Sequence, residues 1–189
     1  RNSKEDDGWL IADPPESSAN VKDWYDSRLS NISSSNELAR LKVSDENSVS
    51  YEFEKNGSGS ALTLLNLPKS KSLKRNELDS YLSKIINLQF TDYQEKKSIS
   101  NETETKIAKW LTIDLESTDS KKYNIKINLN PNQDNAHLTM VNSPGNDLYE
   151  RIYSSKIFYI DSSDVKEINK SLDFFLEDKD LEKDTEKNN

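Results

Sequence analysis

Hydrophobic positions along the chain fall into two kinds of period. Val21, Trp24, Tyr25, Leu29 and Ile32 recur at steps of three and four, as do Leu73, Leu78, Leu82, Ile85 and Ile86, and then Val165, Ile168, Leu172, Phe175 and Leu176. That spacing places each set on one face of a helix. Pro14 and Pro15 precede the first helix, with Ser17 or Ser18 as cap. Ser72 can cap the second, and Ser162 or Ser163 the third, where Asp164 also suits the positive helix start. Other segments alternate. Val49, Tyr51 and Phe53 alternate with Ser50, Glu52 and Glu54, which predicts a half-buried strand. Leu38–Val43, Leu62–Leu67, Leu111–Leu115, Tyr123–Leu129, Leu138–Val141 and Ile157–Ile160 predict further strands. Asn56–Gly59, Ser117–Ser120 and Pro144–Asp147 predict the turns between them.

These elements predict an α+β fold of repeated antiparallel β-meander plus helix units packed in two layers. Each meander has one apolar face, and the following helix carries one apolar stripe to cover it. Residues 1–37 read as the strand-helix remnant of a preceding unit. Residues 38–100 form a first meander-helix unit, 101–176 a second, and 177–189 a disordered charged tail.

Composition narrows the function. The chain has 189 residues, enough for one sizeable core. Its formal net charge of −8 argues against nucleic acid and anionic lipid, both of which attract basic faces. The cluster of Lys69, Lys71, Lys74 and Arg75 reads as a solvated helix start. There is no cysteine, which removes disulfides, thiolate chemistry and Cys-based zinc sites. No apolar run reaches the roughly 20 residues of a membrane span. The chain starts at Arg1 rather than Met, so a signal or anchor is expected ahead of it.

The residues offer little chemistry. The single histidine, His137, reads as a surface or strand-end residue. Asp114, Glu116 and Asp119 lie close together but lack the glycine and the bidentate Glu of a calcium loop. No nucleophile elbow is present, and Gly57 and Gly59 sit in a hairpin turn rather than ahead of a helix. Neither catalytic residues, nor a metal site, nor a cofactor is expected. Trp24 and Trp110 read as core. Tyr149 and Tyr153, around Arg151, are the candidate surface-binding residues, because aromatics beside a guanidinium suit a protein or ligand contact.

Three stretches resemble the uncharacterised bacterial family known as domain of unknown function 4340. They are Val49-Ser50-Tyr51-Glu52-Phe53-Glu54-Lys55-Asn56-Gly57, the helix from Leu73 to Tyr93 with Glu77-Leu78-Asp79-Ser80-Tyr81-Leu82, and Tyr123-Asn124-Ile125-Lys126-Ile127 with Ile157-Phe158-Tyr159-Ile160-Asp161 and the helix to Leu176. Together they span about two thirds of the chain. The strand before the helix, Ala61-Leu62-Thr63-Leu64-Leu65, lacks the family's usual Trp, and only Trp9-Leu10-Ile11 keeps that form. The resemblance implies a membrane-tethered, extracytoplasmic accessory of ABC-type or gliding-motility exporters, and carries over no catalytic residue. The expected function is a non-enzymatic extracytoplasmic scaffold or interaction domain with a protein partner, touching the membrane only through a preceding N-terminal segment. The alternative is a cell-surface carbohydrate- or peptide-binding module.

Overall fold

A computed structural model describes residues 27–45, 49–57, 61–96, 109–131, 135–144 and 153–179. Strands β1 (Leu38–Asp45), β2 (Val49–Lys55) and β3 (Leu62–Leu64) come first. A short β4 (Lys71–Leu73), helix α1 (Arg75–Ile86) and β5 (Asp92–Glu95) follow. The chain continues as β6 (Trp110–Ser117), β7 (Lys122–Asn128), β8 (Ala136–Asn142) and β9 (Lys156–Asp161). Helix α2 (Ser162–Ile168), a 3-10 turn at Leu172–Phe175 and β10 (Leu176–Asp178) close it.

The fold is α+β. One eight-stranded antiparallel sheet has the order β3-β2-β1-β6-β7-β8-β9-β5, and β10 pairs with β4 in a second, two-stranded sheet. The β1–β6 ladder, with Leu41 opposite Leu115 and Val43 opposite Ile113, joins the segment 38–100 to the segment 101–176. Strand β5 pairs with β9 across those segments, and so does β4 with β10.

Alternation explains the buried face. Leu41, Val43, Tyr51, Phe53, Ile113, Leu115, Tyr123, Ile125, Ile127 and Val141 all point to one side and belong to one core. Helix α1 lies on that side. Its Leu78, Tyr81, Leu82, Ile85 and Ile86 are buried, Glu77 occupies the first turn and Lys84 the last. Asn87 ends the helix, donating its side-chain amide to the Ser83 carbonyl at 2.9 Å. Helix α2 is on the same side, since the Tyr81 hydroxyl donates to the Ile168 carbonyl at 2.9 Å.

Several expectations need correction. Ser72 does not cap α1: the cap position is Lys74, and Leu73 belongs to β4. The third helical stripe is not one helix. It stops at Asn169, a 3-10 turn follows, and Leu176 enters a strand. The break lets Phe175 reach the rings of Tyr51, Phe53 and Tyr81, which a straight helix would carry it past. Glu177 and Asp178 pair with Ser72 and Lys71 instead of starting a tail, and Lys71 holds Asp178 at 2.7 Å. The first expected helix falls mostly outside the described residues. Of its stripe, Leu29 and Ile32 are buried but not helical, and Arg28 bridges to Gln89.

Candidate interaction surface

The other side of the large sheet carries no helix among the described residues. Its side chains are set by the register, in rows that cross the strands. One row runs Glu54, Arg40, Glu116, Lys122, and the next Glu52, Lys42, Asp114, Asn124, Asn142. Charges thus alternate across β2, β1, β6 and β7 in the first row and across β2, β1 and β6 in the second, and opposite charges facing each other support the pairing. The Arg40 guanidinium bonds the Glu52 carboxylate through two of its nitrogens, and its pKa is raised, first by Glu52 and then by Glu54 and Glu116. The Asn124 side chain donates to Asp114 at 2.6 Å. A cleft of about 260 Å³ opens between these rows, lined among others by Arg40, Lys42, Asp114, Glu116, Lys122 and Pro144. Further along this face Trp110, Leu138, Met140 and Tyr159 are half-buried. Leu138 lies directly opposite Tyr159.

Leu138–Val141 lies within β8, and the register sets its faces: Val141 pairs with Ile125 and Thr139 with Ile127, so Thr139 and Val141 enter the core.

His137 shares that inward parity. Read as a surface or strand-end residue, it stands second in β8, and the surface alternative is corrected: it is 5% exposed. Its Nδ1 lies 2.6 Å from the Asn128 carbonyl, which can only accept, so Nδ1 carries a proton. Its Nε2 lies 3.0 Å from the Ser162 hydroxyl. That hydroxyl is also 2.5 Å from the Asn135 carbonyl and 2.9 Å from its side-chain oxygen. Asn135 holds a positive φ of 59°, a conformation Asn tolerates better than most residues. The group clamps the β7–β8 turn to the start of α2. Neither the cleft on the open face nor the one between α1 and α2 is lined by Ser162 or His137. Replacing His137 by Leu strands the Asn128 carbonyl in a buried place, so urea unfolding is expected to give a loss of about 1–3 kcal/mol.

The expected surface residues divide. Tyr153 is not at the surface. It is 5% exposed, its ring centroid lies 5.1 Å from that of Phe158, and its hydroxyl donates to the Arg28 carbonyl at 3.4 Å. Its large apolar ring is sheltered beside β9 and its polar tip is met by backbone. Tyr149 and Arg151 lie outside the described residues, as does Trp24. Trp110 is half-buried on the open face.

Other charged groups pair with one another at the surface. Asp119 is held below the usual carboxylate range, first by Lys121 at 2.7 Å and then by Ser117. Lys84 pairs with Glu167 at 2.7 Å across the α1–α2 cleft. The Asp164 carboxyl beside them is raised, first by burial and then by Asp161 and Glu167. Among the described residues, no three His, Asp or Glu side chains converge as metal ligands, and no helix is long and apolar enough to cross a membrane. Comparison of the chain with protein families, with curated proteins and with solved structures finds no match.

Proposed function

We propose that this protein is a non-enzymatic interaction domain that works outside the cytoplasmic membrane, as an accessory of a membrane transport system, and docks its partner on the open face of the large sheet. One observation carries the reading. The sheet is two-sided: α1, α2 and the Phe175 turn lie on one face, and the other is a patterned polar surface with a cleft. A sheet face that needed only solubility would not require a concavity lined by charges from three strands. The transport setting and the location rest on the family resemblance of the three stretches.

A photo-crosslinking amino acid at Lys126, exposed on the open face, tests the docking, with one at Asp79, exposed on α1, as control. In membranes carrying the full-length protein, an adduct with a transporter subunit is expected from Lys126 and not from Asp79. Equal adducts from both positions, or none from either, would remove the reading. Location has its own test. The chain has no cysteine, so Asp79→Cys creates a single thiol. A membrane-impermeant maleimide is expected to label it in spheroplasts without lysis. Labelling only after lysis would place the domain in the cytoplasm.

A second reading, a carbohydrate- or peptide-binding module, is favoured by the half-buried group of Trp110, Leu138, Met140 and Tyr159 on the same face. Saturable quenching of tryptophan fluorescence by a glycan or peptide, lost in Trp110→Ala, would support it over docking of a folded partner.

A further inference from the structure

The cleft on the open face holds cations that its own acids do not neutralise by contact. Lys42 is half-buried and stands between Glu52 and Asp114 in its row. Both of those carboxylates are engaged elsewhere, Glu52 by Arg40 and Asp114 by Asn124. Lys122 stands opposite Glu116 at the end of the next row. Among the described residues neither Lys42, Lys122 nor Glu116 makes an ion pair. One cleft therefore presents two unpaired ammonium groups and one unpaired carboxylate, beside an Arg and an Asp already fixed in place. Lysine is a compact point charge on a flexible stem, suited to reaching a carboxylate that arrives from outside. A carboxylate such as Glu116 suits an incoming N–H donor.

Resting on the interaction-domain reading, we infer that this cleft receives an extended acidic segment of the protein partner, with two of its carboxylates on Lys42 and Lys122 and a main-chain amide donating to Glu116. The volume of about 260 Å³ admits one or two side chains rather than a folded element. The molecule as a whole, with a net charge of −8, repels acidic chains in general. Recognition then depends on register within the cleft, and binding is confined to low and moderate salt.

The test titrates the full chain with capped hexaglutamate, following backbone amides by NMR, with hexalysine and a short single-stranded DNA as competitors for the same claim. Saturable shifts centred on Arg40, Lys42, Glu116, Lys122 and Asn124 are expected. The double variant Lys42→Gln, Lys122→Gln is expected to bind about tenfold more weakly with an unchanged unfolding midpoint. Shifts centred elsewhere, unchanged binding by the double variant, or preference for hexalysine or DNA would each overturn the proposal. The two ideas fail separately. A crosslink from Lys126 in cells without hexaglutamate binding keeps the docking face and removes the acidic segment. Hexaglutamate binding without a crosslink does the reverse.

Discussion

Phe175→Ala is expected to lower the stability of this domain by about 3–5 kcal/mol, more than any other single truncation. Phe175 is 0% exposed, although it lies in a short 3-10 turn between α2 and β10. Its ring meets Tyr81 at 4.8 Å, Phe174 at 5.2 Å, Tyr51 at 5.3 Å and Phe53 at 5.5 Å between centroids, all edge-on. Edge-to-face pairs add about 0.5–1.5 kcal/mol each beyond area burial. The truncation removes several such pairs at once and opens a cavity bounded by β2, α1 and Phe174. The Lys74 amide also donates to the Phe175 carbonyl at 2.9 Å, so disorder in this turn would loosen the start of α1. Chemical denaturation of the variant checks the magnitude. Phe175→Leu, which keeps most of the volume, is expected to lose about half as much or less. Equal losses in the two variants would show that the ring contacts, and not the filled volume, carry the effect.

The second large effect is alkaline. The Tyr51 hydroxyl donates to the Tyr81 hydroxyl at 2.5 Å, and Tyr81 donates in turn to the Ile168 carbonyl at 2.9 Å. The chain of donors links the sheet, α1 and the end of α2 inside the core. Burial pushes the Tyr51 hydroxyl from 10.0 up to about 12, opposed in part by the bond to Tyr81. Tyr81 is raised well above its ordinary value, first by burial and then by Tyr51. The sign follows. Below pH of about 10 both hydroxyls are protonated in the folded and the unfolded chain, and the stability of the pair is complete. Above it the unfolded chain ionises first. Tyr51 then forfeits about 3 kcal/mol as pH rises from about 10 to about 12, and Tyr81 adds to the loss. Circular dichroism against pH is expected to show unfolding in that window. Tyr51→Phe is expected to move the transition to higher pH while costing some stability at neutral pH, because Tyr81 loses its donor. A transition that ignores this substitution would assign the alkaline loss to other groups.

The strands of this protein were legible where side-chain alternation was strict. Val49–Phe53, Leu111–Leu115 and Tyr123–Ile127 all became strands, as did the unbroken apolar run Ile157–Ile160, and Leu78–Ile86 became α1. Alternation is local, and a half-buried strand enforces it at every second residue. The short pieces were not legible. Lys71–Leu73 and Leu176–Asp178 carry no strand alternation, their leucines continuing helical stripes, and are strands because they pair with each other, more than a hundred residues apart in sequence. The break at Asn169 was hidden for the same reason. The helical stripe runs through it unbroken, and only the position of the aromatic cluster requires the turn.

The site shows the same division. Each charged residue of the cleft sits at a wet position that the alternation of its own strand specifies. Which charges face one another depends on registers between β1 and β6 and between β6 and β7, and a slip of one residue would exchange faces. The burial of His137 and Tyr153 is not legible from polarity, because their partners come from other elements: Asn128 at the end of β7 and Ser162 at the start of α2 for one, Arg28 for the other. Local periodicity was enough for the α+β class and most strand faces, since hydrophobic burial acts residue by residue. The strand order, the joining of the two segments at β1–β6, the inward turn of His137 and the cleft with its unpaired lysines arise from contacts between segments, which no single stretch of sequence contains.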